Sequence, residues 1–258
     1  MELMQTALLI PAAGQASRMG KKRNKPYLLL EGKPVLAHTL QAFMGLGLFS
    51  PVIVLVAPGE KELLRKWVLG PFFPEKNQII VVEGGAQRQH SVYNGLTVLQ
   101  QRHFPGDGFA CIHDGARPFI TETLIKSVCR EALNVGAAVC GIPLKDTIKE
   151  INREQHVAVT PPRENYVAVQ TPQCFQFSLL WEAHIRARKH HIVCSDDAAL
   201  VEQLGRPVKV VPGSEDNIKL TTPMDLLLAA VLLKERGLRS NDADIDKEYG
   251  SGWGPDCR

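Results

Sequence analysis

The sequence predicts an α/β fold in which a mostly parallel sheet lies between two layers of helices. Short and almost continuously apolar segments recur along the chain, and each is followed by a segment with apolar residues at helical spacing. Strands without a polar side are typical of a sheet that is covered on both faces. No internal repeat is visible, and the length of 258 residues suits one domain, predicted over residues 1–237.

The first half of the chain contains five predicted strands and four predicted helices. The strands are TALLIPA from Thr6, PVIVLVA from Pro51, QIIVVEGG from Gln78, GFACIHDGARP from Gly108 and GAAVCGIPL from Gly136. The helices are predicted over residues 34–46, 60–69, 87–101 and 121–133. Pro34 suits a first helical position, and Thr121 is a candidate N-cap before an acidic first turn.

The regular order breaks at an arm predicted over residues 144–166. Its sequence, KDTIKEINREQHVAVTPPREN, alternates polar and apolar residues and predicts an extended hairpin that projects from the sheet. Ile151, Val157 and Val159 would have little core to join. The arm is therefore either a solvated flap or a dimerisation element, and both interpretations remain open.

The α/β order resumes after the arm. Helices are predicted in SLLWEAHIRARKH, SDDAALVEQLG and TPMDLLLAAVLLKERG, and a strand is predicted in PVKVVPG. The apolar stretch over residues 224–233 contains Asp225 and is too short to span a bilayer. Residues 238–258, rich in Asp, Gly and Ser, are predicted to be a disordered tail.

Composition limits the classes of function. The net charge of +3 is too small to indicate bulk nucleic-acid binding. The six cysteines form no CxxC pair and are interpreted as reduced thiols. The first residues show neither the basic segment nor the cleavage site of a signal peptide. These observations predict a cytoplasmic protein that binds neither nucleic acid nor membrane.

Four predicted strand ends carry unusual residues: PAAGQASRMGKKRNK, EGGAQRQHSV, HDGARP and PGSEDNIKLT. In a parallel sheet they would meet at one rim, where ligands of such sheets bind. The first end holds a small-residue turn, whose N–H groups suit phosphate oxygens, and five cations, Arg18, Lys21, Lys22, Arg23 and Lys25. It is neither a P-loop nor a dinucleotide GxGxxG motif. A tight turn followed by a solvated basic loop is the alternative.

The first strand end is similar to the nucleotidyltransferase signature AAGxGxRMx(n)K. From about Leu8 to Leu233 the chain resembles the 2-C-methyl-D-erythritol 4-phosphate cytidylyltransferase family. The resemblance rests on eight motifs in order: PAAGQASRM, NKPYLLLEGKPVLAHTL, GGAQRQHSV, HDGARPF, IPLKDTIK, VQTPQCF, SDDAALVE and DNIKLTTPMDL. The chain departs from the family at Ala16, where glycine is usual, and around Lys25, where Asn24 and Pro26 replace the usual proline and glutamine.

The resemblance implies a Rossmann-like three-layer sandwich of the nucleotide-diphospho-sugar transferase type. The implied reaction joins 2-C-methyl-D-erythritol 4-phosphate to CTP and releases pyrophosphate, in non-mevalonate isoprenoid precursor biosynthesis. The attacking phosphate oxygen is already ionised near neutral pH, so no general base is needed. The barrier is the approach of two anions, and cations at the rim would lower it.

By resemblance, Arg18 and Lys25 stabilise the pentavalent transition state, and Arg163 and Lys219 complete the catalytic group. Nucleotide contacts are implied for Pro11, Ala12, Ala13, Gly14, Gly84, Gly85, Ser91 and Asp114. Substrate contacts are implied for Asp114, Arg117, Thr147, Arg163, Thr171, Ser195, Asp216 and Lys219. Apart from the resemblance, Asp114 could cap a turn, Arg117 could form a structural ion pair and Lys219 could be an ordinary surface lysine. His113, alone on an apolar strand, is interpreted as a core residue.

The resemblance also implies partners. Mg²⁺ is expected, held mainly by the CTP phosphates, with Asp114 or Asp216 as an additional ligand. A homodimer that exchanges the arm is implied, so that Thr147 and Arg163 act across subunits. Three alternatives remain open: a ribitol 5-phosphate cytidylyltransferase, a non-catalytic nucleotide-binding module, and RNA binding by the loop cations.

Overall fold

The computed structural model describes residues 5–14, 25–74 and 79–236. Its strands are β1 (Thr6–Pro11), β2 (Leu29–Leu30), β3 (Lys33–Pro34), β4 (Phe49–Val56), β5 (Ile79–Glu83), β6 (Phe109–Ile112), β7 (Ala137–Pro143), β8 (Glu150–Ile151), β9 (Val157–Val159), β10 (Val167–Gln176) and β11 (Lys209–Pro212). Its α-helices are α1 (Val35–Met44), α2 (Lys61–Leu64), α3 (Gly70–Phe72), α4 (Arg88–Gln101), α5 (Glu122–Val135), α6 (Phe177–Lys189), α7 (Asp197–Glu202) and α8 (Pro223–Glu235). A π-helical turn, Arg65–Leu69, joins α2 to α3.

Among the described residues, seven strands form the central sheet, in the order β11–β7–β10–β6–β1–β4–β5. Neighbouring strands in this sheet are parallel except at β10, which is antiparallel to both β6 and β7. The predicted α/β class with a mostly parallel sheet is confirmed. The carboxyl ends of β1, β5, β6 and β11 consequently lie at the same edge.

Helices cover both faces of the sheet. On one face, Leu36 of α1 and Val128 of α5 join one buried apolar cluster. On the other, Leu96 of α4 and Leu180 of α6 join a second cluster. The near-continuous apolar strands are explained by this burial on both sides, which removes water from most positions of the central strands β1, β4 and β6.

The strand β10 was not among the predicted strands. Its sequence, VAVQTPQCFQ, contains glutamines and a proline, which locally argue against a central strand. Gln170 and Gln173 are nevertheless buried, because each has a partner in a distant loop: Gln170 Nε2 donates to Ser214 O at 2.8 Å, and Gln173 Nε2 donates to Asp196 Oδ2 at 2.8 Å. Hydrogen bonds formed only in the tertiary structure thus outweigh the local pattern.

The arm is a hairpin, as predicted. Strands β8 and β9 pair antiparallel as a sheet of their own, separate from the central sheet. Its apolar side chains are exposed: Ile151 by 50%, Val157 by 58% and Val159 by 49%. The arm therefore presents apolar surface that this subunit does not cover.

The helix α8 returns across the β2–β3 hairpin. Its Ala229 and Leu233 belong to a third buried cluster with Leu28 and Leu30. Thr222 caps its N-terminus in a capping box with Asp225. Within the described residues, no helix combines the length and apolar character needed to cross a bilayer. The predicted disordered tail, 238–258, lies outside the described residues.

Candidate active site

The loops that follow β1, β6 and β11 are joined by backbone hydrogen bonds. The Gly115 N–H donates to Pro11 O at 3.1 Å, and the Leu220 N–H donates to Ala116 O at 2.9 Å. Three of the four predicted strand ends therefore meet at one rim.

The fourth strand end, after β5, packs against the first through its glycines. A Cβ on Gly84 would lie 2.5 Å from Ser91 Oγ and 3.0 Å from Ala13 Cβ, and a Cβ on Gly85 would lie 2.4 Å from His90 Cβ. Ser91 is buried, and its hydroxyl oxygen accepts a hydrogen bond from the Gly85 N–H at 3.0 Å. Both glycines are thus required by the packing of the loop itself, and the Ser91 hydroxyl fixes the shape of that loop.

Asp114 lies where these loops meet and is surrounded by cations. Its Oδ2 is 2.7 Å from Lys219 Nζ and 3.8 Å from Arg117 Nε, and its Oδ1 is 3.1 Å from Arg88 Nε. Burial alone would raise the pKa of Asp114, but the charges of Arg88 and Lys219 hold it well below its usual range. Asp114 is therefore a fixed anion, and Lys219 lies between it and solvent.

The guanidinium of Arg88 connects Asp114 to a second buried carboxylate. Arg88 Nη1 is 2.6 Å from Asp197 Oδ2, and Asp197 Oδ1 is 3.1 Å from His184 Nε2. Burial would lower the pKa of Arg88, but the two carboxylates raise it above its usual value. We call this series of contacting side chains the rim network; its members are Lys219, Asp114, Arg88, Asp197 and His184. Lys219, Asp114, Arg88 and Asp197 alternate in charge from the surface to the core, which compensates each buried charge, and His184 contacts the last carboxylate.

Arg88 lies in one of the motifs that carry the family resemblance, but it was not predicted to be a site residue. Its position in the chain does indicate that it needs a partner. Arg88 is the first residue of α4, where a positive charge opposes the helix dipole. A cation at that position needs a carboxylate nearby, and the structure provides two.

Asp114 is held in place by Thr171 and Arg117, and both of these residues contact His113. The Asp114 N–H donates to Thr171 Oγ1 at 3.1 Å, and Thr171 Oγ1 is 3.2 Å from His113 Nδ1. His113 Nε2 is 3.0 Å from Arg117 O, which assigns the ring proton to Nε2 and makes Nδ1 the acceptor of the Thr171 hydroxyl. Burial lowers the pKa of His113 to about 4. The interpretation of His113 as a core residue is confirmed.

Arg117 is engaged on both sides. Besides Asp114, it contacts the loop after β11, because its Nη1 donates to Asn217 O at 2.6 Å. Asn217 is buried and donates to Thr171 O at 2.8 Å. Arg117 therefore holds Asp114 and the last loop together, and the structure favours the ion-pair interpretation of this residue.

The remaining substrate candidates lie further from Asp114. Thr147 and Arg163 are exposed at the base of the arm, where Arg163 Nη1 donates to Lys145 O at 2.6 Å. Lys145 pairs with Glu215, so the arm base is tied to the loop that carries Lys219. Ser195 is exposed before α7, apart from these contacts.

Asp216 has a different partner from the other acidic candidate. Its Oδ2 accepts a hydrogen bond from Arg236 Nη2 at 3.0 Å, so it is paired with the end of α8. Lys219 lies only three residues further along the same loop and points to Asp114. The two residues thus do not converge on one partner.

The basic loop after β1 lies outside the described residues, including Arg18, Lys21, Lys22 and Arg23. Lys25 opens a short 3₁₀ turn, Lys25–Tyr27, and its side chain also lies outside the described part of the chain. The backbone of Ala12, Ala13 and Gly14 leads from β1 toward this loop. Arg18 and Lys25 therefore stay predictions.

The carboxylates at the rim do not form a cage for a hard cation. Asp114 is occupied by Lys219 and Arg88, and Asp216 is occupied by Arg236. Among residues 5–14, 25–74 and 79–236, no three carboxylate or imidazole groups come together at a metal-binding distance. A Mg²⁺ ion at this rim would therefore take its ligands mainly from a bound polyphosphate and from water.

Comparisons with known proteins agree with this geometry. Residues 6–235 match the family model described as 2-C-methyl-D-erythritol 4-phosphate cytidylyltransferase. A protein of that name from Desulforamulus reducens is 46% identical over 88% of this chain and 95% of its own. Another, from Pelotomaculum thermopropionicum, is 43% identical over 93% of this chain and 98% of its own.

Solved structures give the same result. The crystal structure of 2-C-methyl-D-erythritol 4-phosphate cytidylyltransferase from Thermus thermophilus superimposes with a TM-score of 0.70 and 36% identity, over 90% of this chain and all of that one. The 4-diphosphocytidyl-2C-methyl-D-erythritol synthase from Anaerococcus prevotii gives a TM-score of 0.78 at 27% identity, over 90% of this chain and 96% of that one.

Proposed function

The chain belongs to the 2-C-methyl-D-erythritol 4-phosphate cytidylyltransferase family, and we propose that its chemistry takes place at the rim around Asp114. It is a nucleotidyltransferase that joins 2-C-methyl-D-erythritol 4-phosphate to CTP in isoprenoid precursor biosynthesis. The observation that supports the location is the contact between Lys219 and Asp114, which places a partly exposed ammonium where the strand ends meet.

The rim network supplies the electrostatics that the reaction needs. The substrate phosphate is a nucleophile without further deprotonation, so the enzyme has to bring two anions together. Lys219 places the substrate phosphate for attack on the α-phosphorus of CTP, and the leaving group is pyrophosphate. Asp114 fixes the Lys219 ammonium, and Arg88 and Arg117 hold the carboxylate in place.

The nucleotide lies over the ends of β1 and β5. Pro11 to Gly14 face its phosphates, and the loop of Gly84, Gly85 and Ser91 forms the wall beside its base. This placement is supported by the tight packing of Gly84 against Ala13 and Ser91, which fixes the two loops relative to one another. Mg²⁺ comes with the triphosphate and offsets its charge. Thr171, Ser195 and Asp216 stay predictions for the acceptor side, because the Thr171 hydroxyl already contacts Asp114 and His113, and Asp216 already pairs with Arg236.

Arg18 and Lys25 act as cations that stabilise the transition state. We expect Arg18→Ala and Lys25→Ala each to lower kcat by about 10²-fold or more while CTP affinity changes far less, because the charge they neutralise develops only during the reaction. Lys22→Ala is the matched control, since Lys22 is predicted to be solvated. Steady-state kinetics and CTP titration distinguish the cases. Equal losses in turnover and CTP affinity would contradict the assignment.

The arm forms a homodimer, and Thr147 and Arg163 reach the partner's site. The exposed Ile151, Val157 and Val159 support this arrangement, since apolar side chains on a projecting hairpin need a cover.

We expect Val157→Asp to convert the dimer to monomers, as measured by sedimentation equilibrium, and to lower turnover because the arm residues then leave the site. Folding should be unchanged, since Val157 is exposed in the subunit. Ile185→Asp, at an exposed apolar position on α6, is the control and should remain dimeric. A dimeric Val157→Asp variant would exclude the arm as the interface.

The experiment that tests the function is a pyrophosphate-release assay with CTP, Mg²⁺ and a choice of acceptors. We expect 2-C-methyl-D-erythritol 4-phosphate to be used fastest and chelation of the divalent ion to stop the reaction. Faster turnover of ribitol 5-phosphate would assign the other acceptor. CTP binding without turnover on either would indicate a nucleotide-binding module.

The chain acts in the cytoplasm, and residues 1–237 work as one catalytic unit from which the arm projects. Support for this unit comes from the family match, which extends over residues 6–235.

A further inference from the structure

Three cysteine side chains converge beneath α5. Cys111 lies on β6, Cys174 on β10 and Cys129 on α5. Their Sγ atoms all lie within 4.8 Å of one another, and those of Cys129 and Cys174 are 3.6 Å apart. We call these residues the thiol triad. They come from three different elements, so their meeting is a feature of the tertiary structure and not of local sequence.

The fold explains the geometry of the triad. Cys111 and Cys174 stand opposite each other on antiparallel neighbours β6 and β10, so their side chains leave the same face of the sheet. Both are inside the apolar cluster on that face, whereas Cys129 is only partly buried and packs against it. The triad is closed on the inside and is reached from solvent at Cys129.

We propose that the thiol triad is a binding site for one thiophilic divalent metal ion of the zinc type. Four-coordinate zinc has Zn–S distances of about 2.3 Å, which places its sulfur ligands about 3.8 Å apart. One separation in the triad, 3.6 Å between Cys129 and Cys174, is close to this value, and all three are within 4.8 Å, so the side chains would have to move inward around the ion. A fourth ligand, water, would enter on the exposed side of Cys129.

Charge also selects the kind of ion. Three thiolates carry three negative charges into an apolar surrounding, where uncompensated charge is costly. A divalent ion leaves less residual charge than a monovalent one, and its binding releases the thiol protons. Sulfur ligands disfavour Mg²⁺ and Ca²⁺, which prefer oxygen.

Buried cysteines are often ordinary core residues, and Cys140 fits that interpretation better than the triad does. Cys140 is buried, and its thiol donates to the Pro172 carbonyl oxygen at 3.5 Å. Cys194 accepts a hydrogen bond from Gln203 Nε2 at 3.3 Å, far along the chain from α5. The triad differs from both because its sulfurs face one another.

The test is metal titration of the reduced, full-length chain without oxygen, with Cd²⁺ as the spectroscopic probe and Zn²⁺ as competitor. We expect one equivalent to produce the ultraviolet thiolate-to-metal band, Zn²⁺ to displace it, and X-ray absorption to count three sulfur ligands. Binding of less than one equivalent, or fewer than three sulfurs, would overturn the proposal.

Variants locate the site. Cys129→Ser should abolish the band and the rise in melting temperature on adding Zn²⁺. Cys194→Ser and Cys257→Ser are the controls and should retain both. Cytidylyl transfer by Cys129→Ser serves as the check of folding, and Cys129→Ala is the substitute if serine is not tolerated. A band that persists in the folded Cys129 variant would place the metal elsewhere and refute the triad.

Discussion

Replacing Lys219 by alanine will lower kcat/KM for 2-C-methyl-D-erythritol 4-phosphate by about 10³-fold, which combines loss of a charge at the reacting phosphate with loss of its positioning. The ammonium has three N–H donors, and the contact with Asp114 at 2.7 Å uses one of them. The others are directed by that contact, so a phosphate meets a cation that is already oriented. The side chain is 42% exposed, which leaves it accessible to a ligand.

The measurement is steady-state kinetics with each substrate varied in turn. Equal losses in kcat and kcat/KM would mean that Lys219 acts in the transition state, whereas a raised KM alone would mean ground-state binding. Lys209→Ala, at an exposed position on β11, is the matched control and should be unchanged. A loss of only a few fold in Lys219→Ala would remove this residue from the site.

A double-mutant cycle tests whether Lys219 works through Asp114. Asp114→Asn keeps the shape of the side chain but removes the charge that orients the ammonium. If the pair acts as a unit, Lys219→Ala should cost much less in the Asp114→Asn background than in the native enzyme. Additive losses would show that Lys219 and Asp114 act independently, and the contact between them would then have no catalytic role.

The fold was largely predictable because its strands are buried on both faces. Each apolar run was best explained as a parallel strand of a covered sheet, and the following helix was indicated by its own periodicity. The exception, β10, is polar at Gln170 and Gln173, whose partners are more than 20 residues away in sequence. Hydrogen-bond partners at that distance cannot be recognised from the hydrophobic pattern of the strand itself.

The sequence was enough to predict which strand ends form the site, but not which side chains contact each other within it. Parallel topology places the strand ends together whatever their residues, which is why the four motifs were expected to meet. Which cation contacts which carboxylate depends on side-chain direction in the loops. Asp216 and Lys219 belong to one motif, yet one contacts Arg236 and the other Asp114. The family resemblance named both residues, but it could not supply this divergence.

Replacing Arg88 by alanine will destabilise the protein by about 3–5 kcal/mol, the usual cost of leaving a buried charge without its partner. Asp197 has a side chain that is 1% exposed, and among the described residues it would keep His184 as its hydrogen-bonding partner. Asp114 would keep Lys219 and Arg117. Most of the loss is therefore expected from Asp197, in the part of the network that is farthest from solvent.

Urea denaturation at pH 8 measures this loss, and two further variants identify its cause. Arg65→Ala, which removes an exposed ion pair with Glu62, should cost less than about 1 kcal/mol. Asp197→Asn combined with Arg88→Ala should recover part of the stability, because the unpaired negative charge at position 197 is then removed. A double variant no more stable than Arg88→Ala would attribute the loss to packing instead.

The pH dependence gives an independent criterion. In the native protein the pKa of Asp197 is lowered, since Arg88 and His184 outweigh its burial. Without Arg88, burial dominates and raises that pKa, so the folded variant takes up a proton more readily than the unfolded chain as pH falls. The stability difference between Arg88→Ala and the native protein should then shrink from pH 8 to pH 5. A constant difference would mean that the cost is not one of charge, and that the rim network does not depend on Arg88 for its electrostatic balance.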